Sequence, residues 1–435
     1  MDYYPALSNS LLAKSNINQV QIPTDLLMVD PVQQPGFEDI LEAAKFLKGK
    51  INRTQTDSSE TIGKKFGGSV YYKLENLQKT GSFKIRGALF KISKLTSEEK
   101  KAGVIAVSAG NHAQGVALAS RISGINCKIV MPKYTTPAKI SAVERYGALI
   151  DLYGSDYAEA RDHALRLSAE EGRTFIEGFN DASIIAGQGT IGLEIMEDIP
   201  DADLIIVPVG GGGLISGIAL AAKTINPKVT VIGVQSENYD SVMASFEAGN
   251  IVEHVTGETI ADGIAIRRPG NITFSVIQKY VDKIITVSDE TIALALYHLL
   301  EHNKILVEPA GAAGLAAILG GKVDISGKKA VVVLSGGNIN LLLLSKIIYK
   351  SLEHESRLIR IGFKIPDRPG TLYRIASAIS EAGGNIYHAE VDNLDETTPI
   401  GFQSITFTVN VRGSKHAAEL LEKVKSVGYH FEVFQ

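Results

Sequence analysis

The chain has 435 residues, of which 45% are hydrophobic and 21% are charged, and its formal net charge is −4 at pH 7. This length predicts two or three domains, and the composition is that of a globular protein. The negative net charge and the lack of a long basic stretch argue against a nucleic-acid partner.

Three features of the chain bear on its location in the cell. Cys127 is the single cysteine, which excludes an internal disulfide and indicates a reducing compartment. Residues 1–15 have an acidic second residue and no long apolar core, so they do not resemble a signal peptide. Residues 204–222 are uncharged, but their glycines and proline favour a strand, a loop and a helix over a membrane span. We predict a cytoplasmic protein with no membrane partner.

The part of the chain before residue 351 predicts an α/β domain. Residues 1–36 show no hydrophobic period and predict an N-terminal extension, whereas a helical pattern begins at Phe37. Helical segments then alternate with apolar runs that predict buried strands, namely GVIAVS, CKIVMP, ALIDLY, RTFIEG, LIIVPV, TVIGVQ, KIITVS and AVVVLS. Continuous hydrophobicity within such strands is typical of parallel sheets covered on both faces. We predict this domain over residues 37–350.

The C-terminal part of the chain predicts a second, smaller domain over residues 358–435. RLIRIGFKI and FQSITFTVNVR alternate like half-exposed strands, and TLYRIASAISEAGG and SKHAAELLEKVKSVG read as amphipathic helices. With IYHAEVD and YHFEVF as further strands, the order is βαββαβ, which is the ferredoxin-like α+β arrangement. Ser414 is the predicted N-cap of the second helix.

KTGSFKIRG, residues 79–87, sets a lysine between two apolar residues, Phe83 and Ile85. Lys84 could simply extend its amine to water. Alternatively, the amine lies in a partly dry pocket, where burial disfavours the ammonium and makes the amine a nucleophile. The remainder of the chain must provide that pocket.

VPVGGGGLISG, residues 207–217, predicts a phosphate site between a strand and a helix. Glycines allow several backbone N–H groups to converge, and the start of the helix adds partial positive charge. A nucleoside triphosphate loop would require a lysine that Leu214 and its neighbours do not provide. A dinucleotide loop fits better, with Gly211 and Gly213 correctly spaced, Ser216 in place of the third glycine and Glu237 after the next strand. That hypothesis leaves Lys84 without a role.

Two further polar loops follow predicted strands, SAGNHAQG at residues 108–115 and LSGGN at residues 334–338. Taken singly, each is equally typical of an ordinary helix cap or turn. Ligands of open α/β sheets, however, bind at the carboxyl ends of the strands. A nucleophilic lysine, a phosphate cradle and polar groups at these ends together favour pyridoxal 5′-phosphate, which carries an aldehyde, a phosphate, a ring hydroxyl and a pyridine nitrogen.

The order of these motifs resembles the threonine dehydratase group of fold type II pyridoxal phosphate enzymes. SFKIRGA, SAGNHAQG, the tetraglycine loop, TIADGIA, VEPAGAAG and LSGGN occur in that order over roughly residues 37–345. The resemblance implies two parallel-sheet α/β subdomains like those of the tryptophan synthase β-subunit. DRPGTL and GGNI near the C-terminus resemble an ACT domain, a regulatory module that binds amino acids.

The resemblance also implies roles for individual residues. Lys84 would bind the aldehyde of the cofactor and later move the α-proton of the substrate, while Ser335 would face the pyridine nitrogen. The residues implied to bind the cofactor are Phe83, Lys84, Asn111, Gly210, Gly211, Gly212, Gly213, Leu214 and Ser335. Those implied to hold the substrate carboxylate are Ser108, Ala109, Gly110, Asn111 and His112.

Several positions depart from related enzymes or stay ambiguous. Serine racemases of this fold have a second serine where this chain has Ala109, so racemisation should be poor. Their acidic metal ligands correspond here to Gln235, Tyr239 and Ser241, and we predict no divalent metal site. EGFND, residues 177–181, replaces a histidine–proline pair often present in the family. Glu308 either lines the pocket or serves as a charge at a helix start.

The resulting hypothesis is a threonine ammonia-lyase that converts L-threonine to 2-oxobutanoate and ammonia and feeds isoleucine synthesis, with L-serine as a poorer substrate. A serine dehydratase, a threonine synthase or a catabolic threonine dehydratase is the nearest alternative. An alternative from a different functional class is a non-catalytic amino-acid sensor. Such a sensor would be expected to lack the catalytic lysine or an intact phosphate loop.

The predicted effector site of the ACT-like domain comprises Asp367, Gly370, Asn385 and Ile386. Such domains commonly pair side by side in the family, so the resemblance implies a homo-oligomer, either a dimer or a tetramer. Isoleucine is the predicted effector, because 2-oxobutanoate feeds its synthesis.

Overall fold

The computed structural model describes residues 34–392 and 397–434. Most of the predicted N-terminal extension therefore lies outside the described residues. The strands, in chain order, are β1 (Thr56–Ser58), β2 (Ser69–Lys73), β3 (Val104–Val107), β4 (Cys127–Met131), β5 (Leu149–Leu152), β6 (Thr174–Phe175), β7 (Leu204–Pro208), β8 (Thr230–Ser236), β9 (Lys283–Val287), β10 (Lys329–Val333), β11 (Leu358–Pro366), β12 (Asn385–Asp392), β13 (Phe402–Asn410) and β14 (Phe431–Phe434).

The α-helices of the described residues connect and cover these strands. In chain order they are α1 (Phe37–Leu47), α2 (Glu60–Phe66), α3 (Lys84–Ser93), α4 (Ser97–Ala102), α5 (Asn111–Ser123), α6 (Pro137–Glu144), α7 (Tyr157–Glu171), α8 (Ala182–Asp198), α9 (Gly213–Ile225), α10 (Ser241–Ala248), α11 (Asn271–Tyr280), α12 (Asp289–His298), α13 (Pro309–Leu319), α14 (Leu341–His354), α15 (Thr371–Glu381) and α16 (Ser414–Lys425). A π-helical turn, Leu299–Asn303, continues α12.

Two sheets form the α/β part of the molecule, as predicted. The larger sheet has the order β1-β2-β10-β7-β8-β9, and the smaller one has the order β5-β4-β3-β6. All neighbours in both sheets are parallel except β1, which pairs antiparallel with β2. The smaller sheet is inserted in the chain between β2 and β7. All eight predicted strands are present, and every residue of β3 and β7 is buried.

Strands β1 and β2 were missed by the sequence analysis. Strand β2 lies between β1 and β10, yet its sequence SVYYK has only one aliphatic residue. Two tyrosines and a terminal lysine hide the hydrophobic run by which the other strands are recognised. The aromatic rings nevertheless fill the same role, since Tyr72 is only 1% exposed.

The carboxyl ends of the strands carry the polar loops that the sequence analysis singled out. The tetraglycine loop follows β7 and precedes α9, so residues 204–222 form a strand, a loop and a helix as predicted. Ser108 follows β3, and Ser335 follows β10. No helix of the described residues is both long and apolar enough to span a membrane.

The C-terminal domain has the predicted ferredoxin-like topology. Its antiparallel sheet has the order β12-β13-β11-β14, with α15 and α16 packed on one face through a core that includes Ile361, Phe407 and Leu420. The prediction that Ser414 caps α16 is wrong. Gly413 occupies the cap position, because its φ of 111° turns the chain into the helix one residue earlier.

Helix α14 leads from the larger sheet to the C-terminal domain and extends to His354, beyond the predicted boundary at residue 350. Arg357 then anchors the connection, because its Nη1 donates to Glu301 Oε1 at 2.5 Å and to the Tyr297 hydroxyl at 2.6 Å. Glu301 belongs to the π-helical turn. The connection is therefore fastened to the end of α12 by an ion pair.

A buried ionic cluster fixes the start of α3. The guanidinium of Arg86 bonds both carboxylate oxygens of Glu75, at 2.7 and 2.8 Å, and both oxygens of Glu194, at 2.7 and 2.9 Å. Lys73 Nζ lies 2.7 Å from Glu194 Oε2. The side chains of Arg86, Glu75 and Lys73 are fully buried. The cluster thus joins α3, α8 and the end of β2.

We expect Glu75→Ala to destabilise the protein by about 3–5 kcal/mol, because the buried Arg86 and Lys73 would then share Glu194 as their one close carboxylate in the cluster. Glu197→Ala is the matched control, since Glu197 pairs with Arg53 at the surface and an exposed pair contributes about 0–1 kcal/mol. The measurement is the urea midpoint of each variant at pH 7. Equal midpoints for the two variants would contradict the role given to the buried cluster.

Candidate active site

SFKIRGA and LSGGN, which are far apart in sequence, lie side by side at the carboxyl ends of strands β2 and β10 in the larger sheet. Ser82 and Gly336 form an antiparallel bridge, and the N–H of Phe83 donates to the carbonyl of Ser335 at 3.2 Å. The N–H of Gly337 donates to the carbonyl of Gly81 at 2.8 Å. SFKIRGA and LSGGN therefore meet, and Ser335 is only 4% exposed beside the start of α3.

Lys84, the first residue of α3, has its amine inside this region. Its Nζ donates to the carbonyl of Gly178 at 2.8 Å and lies 5.1 Å from the centre of the Phe83 ring. Burial lowers the pKa of Lys84 from its ordinary value of 10.5 to about 8, against the opposing charge of Glu308. Of the two interpretations of this lysine, the geometry favours the amine in a partly dry pocket, since Lys84 is half-buried.

The tetraglycine loop presents unused hydrogen-bond donors. Among the described residues, the N–H groups of Gly211, Gly212, Gly213 and Leu214 make no hydrogen bond to protein, although all four residues are buried. Gly212 has a φ of 96°, which favours glycine. Buried N–H groups are rarely left without an acceptor, and the start of α9 adds partial positive charge. The loop can therefore bind an anion such as a phosphate.

Residues 177–181 link the lysine to the loop, which the sequence analysis did not foresee. The carbonyl of Gly178 accepts from Lys84, and the ring of Phe179 covers the loop so closely that a Cβ on Gly211 would lie 2.4 Å from it. Asp181 caps α8 and pairs with Lys91 of α3 at 2.6 Å. Residues 177–181 thus contact both Lys84 and the tetraglycine loop.

SAGNH, residues 108–112, forms the turn between β3 and α5. Ser108 Oγ accepts from the N–H of Gly110 at 3.0 Å, and Asn111 begins the helix. His112 Nε2 lies 2.9 Å from the carbonyl of Ile176, which places the proton on Nε2. Burial, helped by the charge of Lys84, lowers the pKa of His112 to about 4, so the ring is neutral at pH 7.

Glu308 lies in the site and not only at a helix start. It occupies the N-cap position of α13, but its side chain accepts no capping bond there. Oε1 instead accepts from Asn111 Nδ2 at 2.7 Å. Burial raises the pKa of Glu308 to about 7, and the charge of Asp262 adds to this. The TIADGIA motif closes this side, since Gly263 lies between Glu308 and Gly210.

Asn338, the last residue of LSGGN, was not predicted to take part in the site. Its Nδ2 donates to Asn111 Oδ1 at 2.6 Å and to the carbonyl of Thr80 at 2.8 Å. Asn111 and Asn338 are 227 residues apart in sequence. The signal that could have identified Asn338 is its position after two glycines at a strand end.

The positions that correspond to the racemase metal ligands make structural contacts. Gln235 Oε1 accepts from the N–H groups of Val242 and Met243, and Ser241 donates to the carbonyl of Ile266. Within residues 34–392 and 397–434, no three His, Cys, Asp or Glu side chains form a metal-ligating group. The predicted lack of a divalent site stays a prediction.

The four predicted effector residues do not come together within one chain. Strand β13 pairs Phe402 with Pro366, next to Asp367 and Gly370, whereas it pairs Asn410 with Asn385. From Phe402 to Asn410 a strand rises by roughly 27 Å. The two halves of the predicted effector site therefore lie at opposite ends of the sheet.

Comparison with known proteins agrees with this architecture. Residues 47–336 match the family model described as pyridoxal-phosphate dependent enzyme, and residues 353–429 match an ACT domain. An L-threonine ammonia-lyase of Thermotoga maritima is 47% identical over 398 residues, which cover 91% of this chain and 99% of that protein.

Two solved structures extend the comparison to the fold. The processed form of threonine deaminase isoform 2 from Solanum lycopersicum has a TM-score of 0.69 and 34% identity, covering 73% of this chain and 95% of that one. Maize serine racemase has a TM-score of 0.70 and 37% identity, covering 74% of this chain and all of that one.

These matches confirm the predicted fold class, the predicted cofactor and the resemblance to threonine dehydratases, and they leave the dinucleotide hypothesis without support. The bounds of the two domains and the roles of individual residues stay predictions. The chain belongs to the family of pyridoxal-phosphate dependent enzymes, and it carries a C-terminal ACT domain.

Proposed function

We propose that the chain is a threonine ammonia-lyase that eliminates water from L-threonine and releases 2-oxobutanoate and ammonia. The observation that carries this proposal is the half-buried Lys84 side chain, with the lowered pKa of its amine, next to a loop of free N–H donors. The similarity to the Thermotoga maritima enzyme supports the substrate. A non-catalytic sensor is disfavoured, because both the lysine and the loop are intact.

The residues of the site fit pyridoxal phosphate. Lys84 provides the amine for its aldehyde, residues 210–214 provide donors for its phosphate, and Phe83 lies beside the ring. Asn111 would bond the ring oxygen, and Ser335 would face the ring nitrogen. When bound, the cofactor withdraws electrons from the α-carbon of the substrate, which makes the α-proton easier to remove.

The remaining polar groups hold the substrate and move its proton. Ser108 and the backbone N–H groups of residues 109–112 bind the carboxylate at the start of α5. A neutral His112 adds no charge that would hold the product back. The Nζ of Lys84 takes the α-proton, because an amine with a pKa near 8 accepts and returns protons at neutral pH.

Elimination is favoured over racemisation by two neutral residues. Ala109 has no group that could deliver a proton to the opposite face of the substrate. The hydroxyl of Ser335 does not favour a protonated ring nitrogen, which weakens the electron sink that racemisation requires. L-Serine, with one methyl group fewer, should react more slowly, since a methylene changes selectivity by about 1–3 kcal/mol. A serine dehydratase is the second candidate, and the ratio of the two rates decides between them.

Lys84→Ala should lower 2-oxobutanoate release from L-threonine by at least roughly a thousandfold, because both the covalent link and the proton carrier are lost. Lys79→Ala is the matched control, since Lys79 is an exposed lysine five residues earlier. The measurements are product release and the visible absorbance of the purified proteins. Wild-type rates in Lys84→Ala would refute the assignment.

The rate at which cofactor-free protein takes up pyridoxal phosphate should rise with pH and reach half its maximum near pH 8. The neutral amine is the reactive form, and burial lowers the pKa of Lys84 to about 8. Stopped-flow absorbance between pH 6 and pH 10.5 measures the rate. A midpoint near the ordinary lysine value of 10.5 would show that Lys84 is not desolvated.

We further propose that the ACT domain binds isoleucine between two copies of this chain. Since Asp367 and Asn385 lie at opposite ends of one sheet, a small ligand that touches both must take one from each of two domains. Strand β12 lies at an exposed edge of the sheet, where the backbone of residues 385–391 can pair with a strand of a second chain. A dimer or a tetramer follows from this arrangement, and a cytoplasmic location and a role in isoleucine synthesis belong to the same proposal.

Asp367→Ala and Asn385→Ala should each abolish inhibition of 2-oxobutanoate release by isoleucine. When the two variants are co-expressed, a mixed pair has one site with both residues intact, so inhibition should return in part. Each variant expressed alone serves as the control. Failure of the mixture to respond would contradict a site shared between chains.

A further inference from the structure

The amide of Asn111 is held from both sides. Its Nδ2 donates to Glu308 Oε1 at 2.7 Å, and its Oδ1 accepts from Asn338 Nδ2 at 2.6 Å. Asn338 is itself oriented, because the same Nδ2 donates to the carbonyl of Thr80 at 2.8 Å. The three side chains thus form a series of hydrogen bonds with one direction, in which Asn338 donates to Asn111 and Asn111 donates to Glu308.

This direction of hydrogen bonding permits only one orientation of the Asn111 amide. Were the amide turned over, Nδ2 would face the donor Asn338 and Oδ1 would face the acceptor Glu308, so both hydrogen bonds would be lost. An amide nitrogen carries two hydrogens, and Glu308 uses one of them. The second N–H of Asn111 therefore stays available at a fixed position in the site.

The space around the Glu308 carboxylate is closed. A Cβ added to Gly336 would lie 2.4 Å from Glu308 Oε1 and 3.2 Å from Asn111 Nδ2. Glu308 is 6% exposed, and its backbone N–H donates to the carbonyl of Gly336 at 3.0 Å. The charged groups that act on it are those of Asp262, Lys139 and Lys84. Oε1 can accept from Asn111 whether or not the other oxygen carries a proton.

We propose that Glu308 and Asn338 are positioning residues that lock the Asn111 amide, so that its second N–H points at the ring oxygen of pyridoxal phosphate. This inference rests on the proposed function, which gives Asn111 that contact. Neither residue needs to touch the substrate, since each acts through Asn111.

The test uses substitutions that keep size and change polarity. Asn338→Asp replaces the donor by an acceptor, which favours the wrong orientation of Asn111, and should raise the dissociation constant for pyridoxal phosphate by about tenfold or more. Asn340→Asp is the matched control two residues later, because Asn340 uses only its oxygen, to cap α14. Fluorescence titration of cofactor-free protein measures the constant. Of these two variants, only Asn338→Asp should change the absorbance spectrum of the bound cofactor.

Two substitutions test Glu308: one removes the acceptor oxygen, and the other keeps an acceptor oxygen but removes the negative charge. Glu308→Ala should weaken cofactor binding by about as much as Asn338→Asp, whereas Glu308→Gln keeps an acceptor oxygen and should stay within about threefold of wild type. A merely space-filling role would give no advantage to an acceptor, so Glu308→Met, similar in size, should behave like Glu308→Ala. Equal binding by the Met and Gln variants would overturn the role of Glu308.

A double-mutant cycle with Asn111→Ala separates this inference from the proposed function. If Asn338 acts through Asn111, Asn338→Asp should have no further effect on cofactor binding once Asn111 is replaced by alanine. Additive effects, or wild-type affinity in Asn338→Asp, would overturn the positioning role alone. Wild-type affinity in Asn111→Ala would instead overturn the contact that the proposed function gives to Asn111. Thermal midpoints of the cofactor-free variants establish that each is folded.

Discussion

The two ion pairs of the buried Arg86, with Glu75 and with Glu194, are the interactions on which the position of Lys84 depends. Arg86 follows Lys84 by two residues in the first turn of α3, and its guanidinium has bidentate partners on two sides. Such pairs add little to stability when compared with a well-packed apolar core. The planar geometry of the guanidinium and the carboxylates nevertheless fixes the position of Arg86 relative to Glu75 and Glu194. The start of α3, and with it Lys84, is therefore held in one place.

The same dry environment acts on the lysine and on the glutamate in opposite directions. Burial lowers the pKa of Lys84 to about 8 and raises that of Glu308 to about 7, because both charged forms are disfavoured. The two values approach one another near neutral pH. A site of this kind can gain or lose a proton at low cost, which is the property that general acid–base chemistry requires.

Most of the fold and the centre of the site could be predicted from the sequence. Continuous apolar runs reveal the eight strands, most clearly β3 and β7, in which every residue is buried, whereas β2 was hidden by its tyrosines. The tetraglycine loop has few alternative explanations, and Lys84 became a candidate nucleophile once a phosphate-binding loop was predicted in the same domain. Glu308 stayed ambiguous because a carboxylate before a proline at a helix start looks like an ordinary terminus. Asn338 follows two glycines at a strand end, which marks it as a candidate, but its contact with Asn111 could not be predicted because the two residues are 227 positions apart in sequence.

Residues 177–181 show that a contact made by the backbone does not depend on the identity of the residue. The atom that meets Lys84 is the carbonyl oxygen of Gly178, which every amino acid possesses. The contact with Lys84 therefore depends on the path of the backbone at position 178, whereas Phe179 and Asp181 contribute through their side chains. A comparison of residue identities alone would miss this contact, because the same carbonyl oxygen would be present whichever residue stood at position 178.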